Sequence, residues 1–84
     1  MRRYKLYLDG VWYKDADGTN RCFKYTTSRD SKAAAVMYQR NATITDMHDR
    51  VVSKAKLSPN GDAYNVFFDK NELIEHDAYF EWSD

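Results

Sequence analysis

Three side chains of this sequence belong to types that ligate metals or attack substrates: Cys22, His48 and His76. They lie far apart, without the paired spacings that place several ligands around one zinc ion. A catalytic triad needs a nucleophile, a base and an orienting group, and none of these residues sits in a recognisable motif of that kind. We therefore expect no metal site, no cofactor and no catalytic residue.

One enzymatic alternative stays open, because small ribonucleases can work with only His, Arg, Lys and Tyr in a cleft. His76 together with Arg40 or Lys56 could supply such a set. The helical angle also places Arg40 near an apolar stripe, where it snorkels to the sheet edge, pairs with a carboxylate of the acidic end, or contacts a partner. The chain has three glycines, each ending a turn, so it has no glycine-rich phosphate loop.

Lysine and aromatic residues are interleaved near the start of the chain. Alternation over 3–9 and 11–14 predicts two strands joined at Asp9-Gly10, with Tyr7 opposite Trp12. Such a surface could stack bases and neutralise phosphates, or anchor a protein, or simply hold a structural aromatic pair under lysines. The side predicted to face away from the helix carries Arg3, Lys5, Tyr7, Trp12, Lys14, Cys22 and Lys24.

Charge is distributed unevenly, although the formal net charge is zero. Residues 1–40 hold nine Lys/Arg against four Asp/Glu, and residues 41–84 hold four against nine. The acidic end, 69–84, mixes carboxylates such as Glu72 and Glu75 with aromatic residues such as Trp82. It either completes the core or offers a surface to a basic protein.

The stretch 27–42 carries the one long helix pattern of the sequence. Ser28 suits a helix N-cap, Asp30 suits the first turn, and the alanines that follow favour helix. At about 100° per residue, one stripe should face a sheet. The stripe comprises Ala33, Val36, Met37 and Ile44, and the sheet residues expected to face it are Tyr4, Leu6, Leu8, Val11 and Tyr13.

The strand patterns complete the fold prediction. The first hairpin should pair Leu8 with Val11 and Leu6 with Tyr13. The later pattern predicts a turn at 15–20, a strand at 21–26, a connection at 43–49, a strand at 50–57, a Pro59-Asn60-Gly61 turn pairing Leu57 with Tyr64 and Ala55 with Val66, a helical turn at 70–76 and an edge strand at 78–82. We therefore predict a single α+β domain over residues 1–84, an antiparallel sheet made of a three-stranded meander and a hairpin, packed on one main α-helix.

Three strands followed by a helix, with basic and aromatic residues outward over residues 3–42, resemble two families of small DNA-binding modules. These are the arm-binding modules of tyrosine recombinases and the plant GCC-box domains, which lay a three-stranded sheet in the DNA major groove. A short, Tyr-rich chain with both charge poles is also similar to accessory proteins of bacteriophages that bind and redirect a host protein. The second resemblance implies a regulatory or inhibitory role.

The balance of charge decides between these partners, because dedicated nucleic-acid domains usually carry a basic excess. We expect a non-enzymatic, cytoplasmic binding and regulatory protein with a protein partner and no membrane span, and keep nucleic-acid binding and a small ribonuclease-like enzyme as alternatives. The single cysteine is consistent with a reducing compartment. The residues expected to bind the partner are Lys5, Tyr7, Trp12, Lys14, Lys24, Glu72, Glu75 and Trp82.

Overall fold

The structure, a computed structural model of the chain, describes residues 3–23, 30–71 and 82–83. Within these residues an antiparallel sheet packs against one helix, which confirms the predicted α+β class. No described helix is long and apolar enough to cross a membrane. The elements are β1 (Tyr4–Leu8), β2 (Val11–Trp12), β3 (Cys22–Phe23), α1 (Asp30–Tyr38), β4 (Ala42–Asp46), β5 (Val51–Leu57), β6 (Ala63–Phe68) and β7 (Trp82–Ser83).

The strands lie in the order β6-β5-β4-β1-β3-β7, and β2 also pairs with β1. The first hairpin has the predicted register, with Tyr7 opposite Trp12. The predicted meander is wrong in its second pairing, because β3 continues along β1, with Tyr4 opposite Phe23. The loop between β2 and β3 explains this course. The Asp15 carboxylate accepts hydrogen bonds from backbone N–H groups of the loop and forms an ion pair with Arg21. These contacts close the loop, so the chain returns to β1.

β4 replaces the connection that was predicted over residues 43–49. It is a central strand, paired with β1 on one side and β5 on the other. Ala42 and Ile44 are fully buried and alternate with Thr43 and Thr45, a pattern of β-branched residues typical of strands. The prediction missed this strand because it carried the helix as far as Ala42.

α1 ends earlier than predicted, at Tyr38. Gln39 has a φ of +53°, and the Arg40 N–H donates to the Ala35 carbonyl at 3.2 Å, the backbone pattern of a Schellman cap. Glycine is the usual residue at this left-handed position. Here the Gln39 side-chain amide donates to the carbonyls of Val36 and Gly61, at 2.8 and 2.9 Å, and holds the chain in the cap.

The predicted face of the helix is also wrong. Ala34 and Ala35 are fully buried, whereas Val36 is 40% exposed and Met37 58% exposed. α1 packs mainly against β5, with further contacts to β4 and β6. Small side chains let the helix lie close to the sheet. The face of α1 that packs on the sheet is therefore formed by alanines and not by the larger apolar residues.

The predicted sheet face is buried at Tyr4, Leu6 and Leu8 but not at Val11. Val11 was expected to face the helix, but it is 67% exposed. Because α1 lies over β4, β5 and β6, it does not cover β2, and a cleft remains there. The buried core consists of Tyr4, Leu6, Leu8, Phe23, Ala34, Ala35, Ala42, Ile44, Val52, Ala55 and Ala63, with Tyr13 and Tyr38 packed against it.

The β5–β6 hairpin is shifted by one residue from its predicted register. Leu57 pairs with Ala63, and Lys56 pairs with Tyr64. The loop has three residues instead of two: Ser58 N–H donates to the Asp62 carbonyl at 2.8 Å, and Gly61 takes a φ of +86°. A shift of one residue exchanges the two faces of a strand, so Tyr64 lies on the face of Lys56, away from the helix.

Two further predictions fall largely outside the described residues. The helical turn predicted at 70–76 has only residues 70 and 71 described, and these form a turn. The edge strand predicted at 78–82 overlaps β7, which pairs with β3 through Phe23 opposite Trp82.

Candidate binding surfaces

The sheet brings together three of the predicted partner-binding residues, Lys5, Tyr7 and Trp12. Lys5 is buried, and its Nζ lies 2.5 Å from a carboxylate oxygen of Asp49. The Tyr7 hydroxyl donates to the same oxygen at 2.9 Å. Lys5 Nζ also lies 5.0 Å from the Trp12 ring centroid and 5.7 Å from that of Tyr7, within range of cation–π attraction. We name these four residues the Lys5 cluster.

The charges of the Lys5 cluster are paired with each other within the protein. The hydrogen bond that Lys5 donates to Asp49 is the main cause that raises the pKa of Lys5. The same contact with Lys5, followed by the bond from Tyr7, lowers the pKa of Asp49. These contacts favour the interpretation of Tyr7 and Trp12 as a packed structural pair. Their partner-binding role stays a prediction.

The pH dependence of stability should reveal the Lys5–Asp49 pair. The lowered pKa of Asp49 contributes stability that is present above the unfolded carboxyl pKa of about 4 and is lost as pH falls through the folded value. The raised pKa of Lys5 contributes stability below about pH 10.4, lost only at higher pH, so it does not vary in acid. We expect the melting temperature of Asp49→Asn to fall less than that of the parent when the pH is lowered from 6 to 3.

Asp62→Asn is a matched control for this experiment, because Asp62 lies in the β5–β6 loop and forms no ion pair with a described residue. It should follow the parent profile. If Asp49→Asn also follows the parent profile, the pair contributes nothing to acid stability.

The other predicted site residues are dispersed. Lys14 is exposed and lines the cleft beside β2. Cys22 is buried, with Sγ 3.8 Å from Met47 Sδ, and Arg3 and His48 are exposed. Lys24, Glu72, Glu75 and His76 lie outside the described residues, and the side chain of Trp82 is not described.

Exposed apolar residues of β6 form a surface that the sequence patterns did not indicate. We name it the β6 strip: Tyr64, Val66, Phe67 and Phe68, each between 39% and 50% exposed. β6 is the outermost strand of its side of the sheet. Among the described residues, no strand pairs with its outer edge. An exposed apolar edge of this kind is a template for another strand.

Cations lie beside the β6 strip on the face away from α1. Phe67 is directly opposite Lys54, and Tyr64 is opposite Lys56. Both lysines are exposed, and neither forms an ion pair with a described residue. The pairing continues across the sheet as the row Phe67, Lys54, Thr43, Tyr7 and Trp12. The sequence did not indicate this arrangement, because it depends on the hairpin register and on the order of the strands.

A cleft of about 360 Å³ lies between β2 and the end of α1. The rings of Tyr13 and Tyr38 pack in it, with centroids 5.2 Å apart. Burial, followed by the contact with Tyr13, raises the pKa of Tyr38 to about 12, so this phenol is neutral at physiological pH. The residues that line the cleft are Leu8, Val11, Trp12, Tyr13, Lys14, Tyr38 and Arg40.

The residues of the ribonuclease-like alternative lie only partly within the described chain. Arg40 lines the cleft, Lys56 lies on the face of the sheet away from α1, and His76 is not described. No group of three or more His, Cys, Asp or Glu among the described residues is placed to hold a metal ion.

Comparison with known proteins gives no relative from which a function could be transferred. No protein-family model matches the chain, and no curated protein or solved structure is significantly similar to it.

Proposed function

We propose that this chain is a non-enzymatic binding protein that engages a protein partner through the outer edge of β6. The observation that supports this proposal is the β6 strip on an edge that no described strand covers. An extended segment of the partner would pair with the backbone N–H and C=O groups of β6 and extend the sheet by one strand.

The composition of β6 supports strand addition. Edge strands usually carry lysine, inward charges or proline that discourage pairing with other chains. The six residues of β6 include no charged residue and no proline, and the carboxylates nearest in sequence are those of Asp62 and Asp69 at its two ends. The irregular pairing beside Val66 is a protective feature of the kind that twists an edge. The aromatic residues on either side of it remain open to a partner.

The neighbouring strand indicates the chemistry of the partner segment. Side chains of an added strand would lie beside Tyr64 and Phe67, with Lys54 and Lys56 one strand further. A segment with apolar residues and carboxylates would match both features. The aromatic contacts would supply most of the affinity, and the lysines would mainly speed association. By covering a partner surface the protein would act as an accessory inhibitor, the role implied by its resemblance to phage accessory proteins.

Phe67→Glu should remove this interaction without unfolding the protein, because Phe67 is 47% exposed. The charge would meet an apolar partner surface, and we expect affinity to fall by about 2 kcal/mol or more. The measurement is capture of partners from a native extract treated with nuclease, followed by calorimetry with the purified partner.

Met37→Glu is the control, because Met37 is comparably exposed but lies on α1. The proposal requires proteins that the parent and Met37→Glu retain and that Phe67→Glu loses. A captured set that is the same for all three proteins would contradict it.

A second candidate function, nucleic-acid binding, rests on the alternation of aromatic residues and lysines beside β6. Bases could stack on Tyr64 and Phe67 while Lys54 and Lys56 contact phosphates. The zero net charge weighs against this candidate. Titration with single-stranded DNA, RNA and duplex DNA separates the two functions. Binding tighter than ~10 μM that vanishes by about 200 mM salt would favour nucleic acid, and no binding at low salt would dismiss it.

A further inference from the structure

The floor of the cleft beside β2 is apolar, and it is left open because α1 does not extend over this part of the sheet. Leu8 is buried at its base, and Val11, opposite Leu8, is 67% exposed. The packed rings of Tyr13 and Tyr38 form one wall. A volume of about 360 Å³ is within the range of small-molecule sites.

Two cations lie on the same cleft. Lys14 and Arg40 are exposed, and neither forms an ion pair with a described residue. The carboxylate nearest to Lys14 in sequence, Asp15, is occupied by Arg21 and by N–H groups of its own loop. Among the described residues, neither cation is paired with a carboxylate, although the Asp9 carboxylate accepts the N–H of Asn41, the residue after Arg40, at 3.1 Å.

The backbone that carries both cationic side chains is fixed by hydrogen bonds. The N–H of Arg40 is bonded to the Ala35 carbonyl in the helix cap. Lys14 pairs with Asn20 across the loop, and the Asn20 side chain donates to the Tyr13 carbonyl at 3.1 Å. A binding site with fixed backbone loses less freedom when a ligand binds.

We propose that this cleft binds a small anion that carries an aromatic or aliphatic group, such as an aryl phosphate or an aryl carboxylate. The apolar group lies on Leu8 and Val11 against the tyrosine wall. The anionic group lies between Lys14 and Arg40, where a guanidinium can donate two parallel hydrogen bonds. The site is separate from the β6 strip, because β2 and β6 lie on opposite sides of the central strands.

Phenyl phosphate is a suitable probe, followed by the shifts of backbone amide signals in NMR. We expect saturable shifts of the amides of Val11, Tyr13 and Arg40. Inorganic phosphate has only the charged group and phenol has only the apolar group. Each should bind at least about tenfold more weakly than phenyl phosphate, because each lacks either the apolar or the charged contacts. N-acetylphenylalanine serves as a second probe. Tighter binding of this carboxylate would identify the end of a polypeptide as the source, and tighter binding of phenyl phosphate would identify a free phosphate ester.

Arg40→Gln and Lys14→Gln test the charged half of the site, and both replace exposed side chains, so the fold should persist. Each should weaken phenyl phosphate binding about fivefold to tenfold, because a charge-assisted hydrogen bond is lost. Lys32→Gln is the control, an exposed cation of α1 that does not line the cleft. Absence of saturable shifts up to about 10 mM probe, or an equal loss in Lys32→Gln, would overturn the proposal.

Discussion

Ala35→Asp should unfold this protein, whereas Met37→Asp should leave its melting temperature nearly unchanged. Ala35 is fully buried against the sheet, so the new carboxylate would lose its water without gaining a partner. We expect a cost of about 3 to 5 kcal/mol, comparable with the whole stability of a small domain. Met37 is 58% exposed, and substitutions at such positions usually change stability by about 0.5 kcal/mol.

The two variants form a matched pair, because both place an aspartate in the last turn of α1, where its helix propensity and its interaction with the helix dipole are similarly unfavourable. Thermal melts followed by circular dichroism measure the difference directly. If the stripe predicted from the helical period faced the sheet, Met37→Asp would instead cause a large loss of stability. A large loss of stability in Met37→Asp with a small loss in Ala35→Asp would restore that stripe and contradict the packing of α1.

Ile44→Ala should be nearly as damaging. Ile44 is fully buried in β4, between Leu6 of β1 and Ser53 of β5. Truncation leaves a cavity between the sheet and α1, and a buried Ile→Ala change typically costs about 2 to 5 kcal/mol. For a domain of this size, that corresponds to a fall in melting temperature of more than about 10 °C. Urea unfolding gives the free energy independently.

Met47→Ala provides the comparison, because Met47 lies just after β4 and is 44% exposed. It should cost less than about 1 kcal/mol. If Ile44→Ala is equally mild, with an unchanged dependence on urea, Ile44 is not a core residue of a central strand.

Features set by neighbouring residues could be predicted from the sequence. Asp9-Gly10 carries the turn chemistry of a hairpin, and alternation on both sides fixes Tyr7 opposite Trp12. The strand over 50–57 has the same local basis, and β5 covers 51–57. The α+β class follows from these strands and from the run of alanines.

Features set by distant contacts could not be predicted. The helix ends at Tyr38 because the next residue, Gln39, has little intrinsic tendency to stop a helix but donates its side-chain amide to the Gly61 carbonyl across the fold. That early end releases residues 42–46 to form β4. The choice between a two-residue and a three-residue loop at Asn60 then shifts β6 by one position, although the turn itself was predicted.

The binding surfaces show the same division. The grouping of Lys5, Tyr7 and Trp12 follows from one local hairpin and was predicted. Asp49, which neutralises Lys5, comes from the turn between β4 and β5, and no local pattern indicates it. The β6 strip depends on a register and a strand order that arise only after the sheet is assembled.

The central place of β1 has a consequence for how fast the chain can fold. β1 pairs along its full length with β4, which requires contact between Leu6 and Ile44. β3 pairs with β7, which is even more distant in sequence. The hairpins β1–β2, β4–β5 and β5–β6 are local and can form in about 1 to 10 μs. Closing the long loop to β4 carries a much larger entropy cost, and folds dominated by such distant pairings reach the native state in about milliseconds to seconds. During synthesis β1 leaves the ribosome before β4, so Leu6 and Leu8 lack their partners in β4 until that strand has emerged.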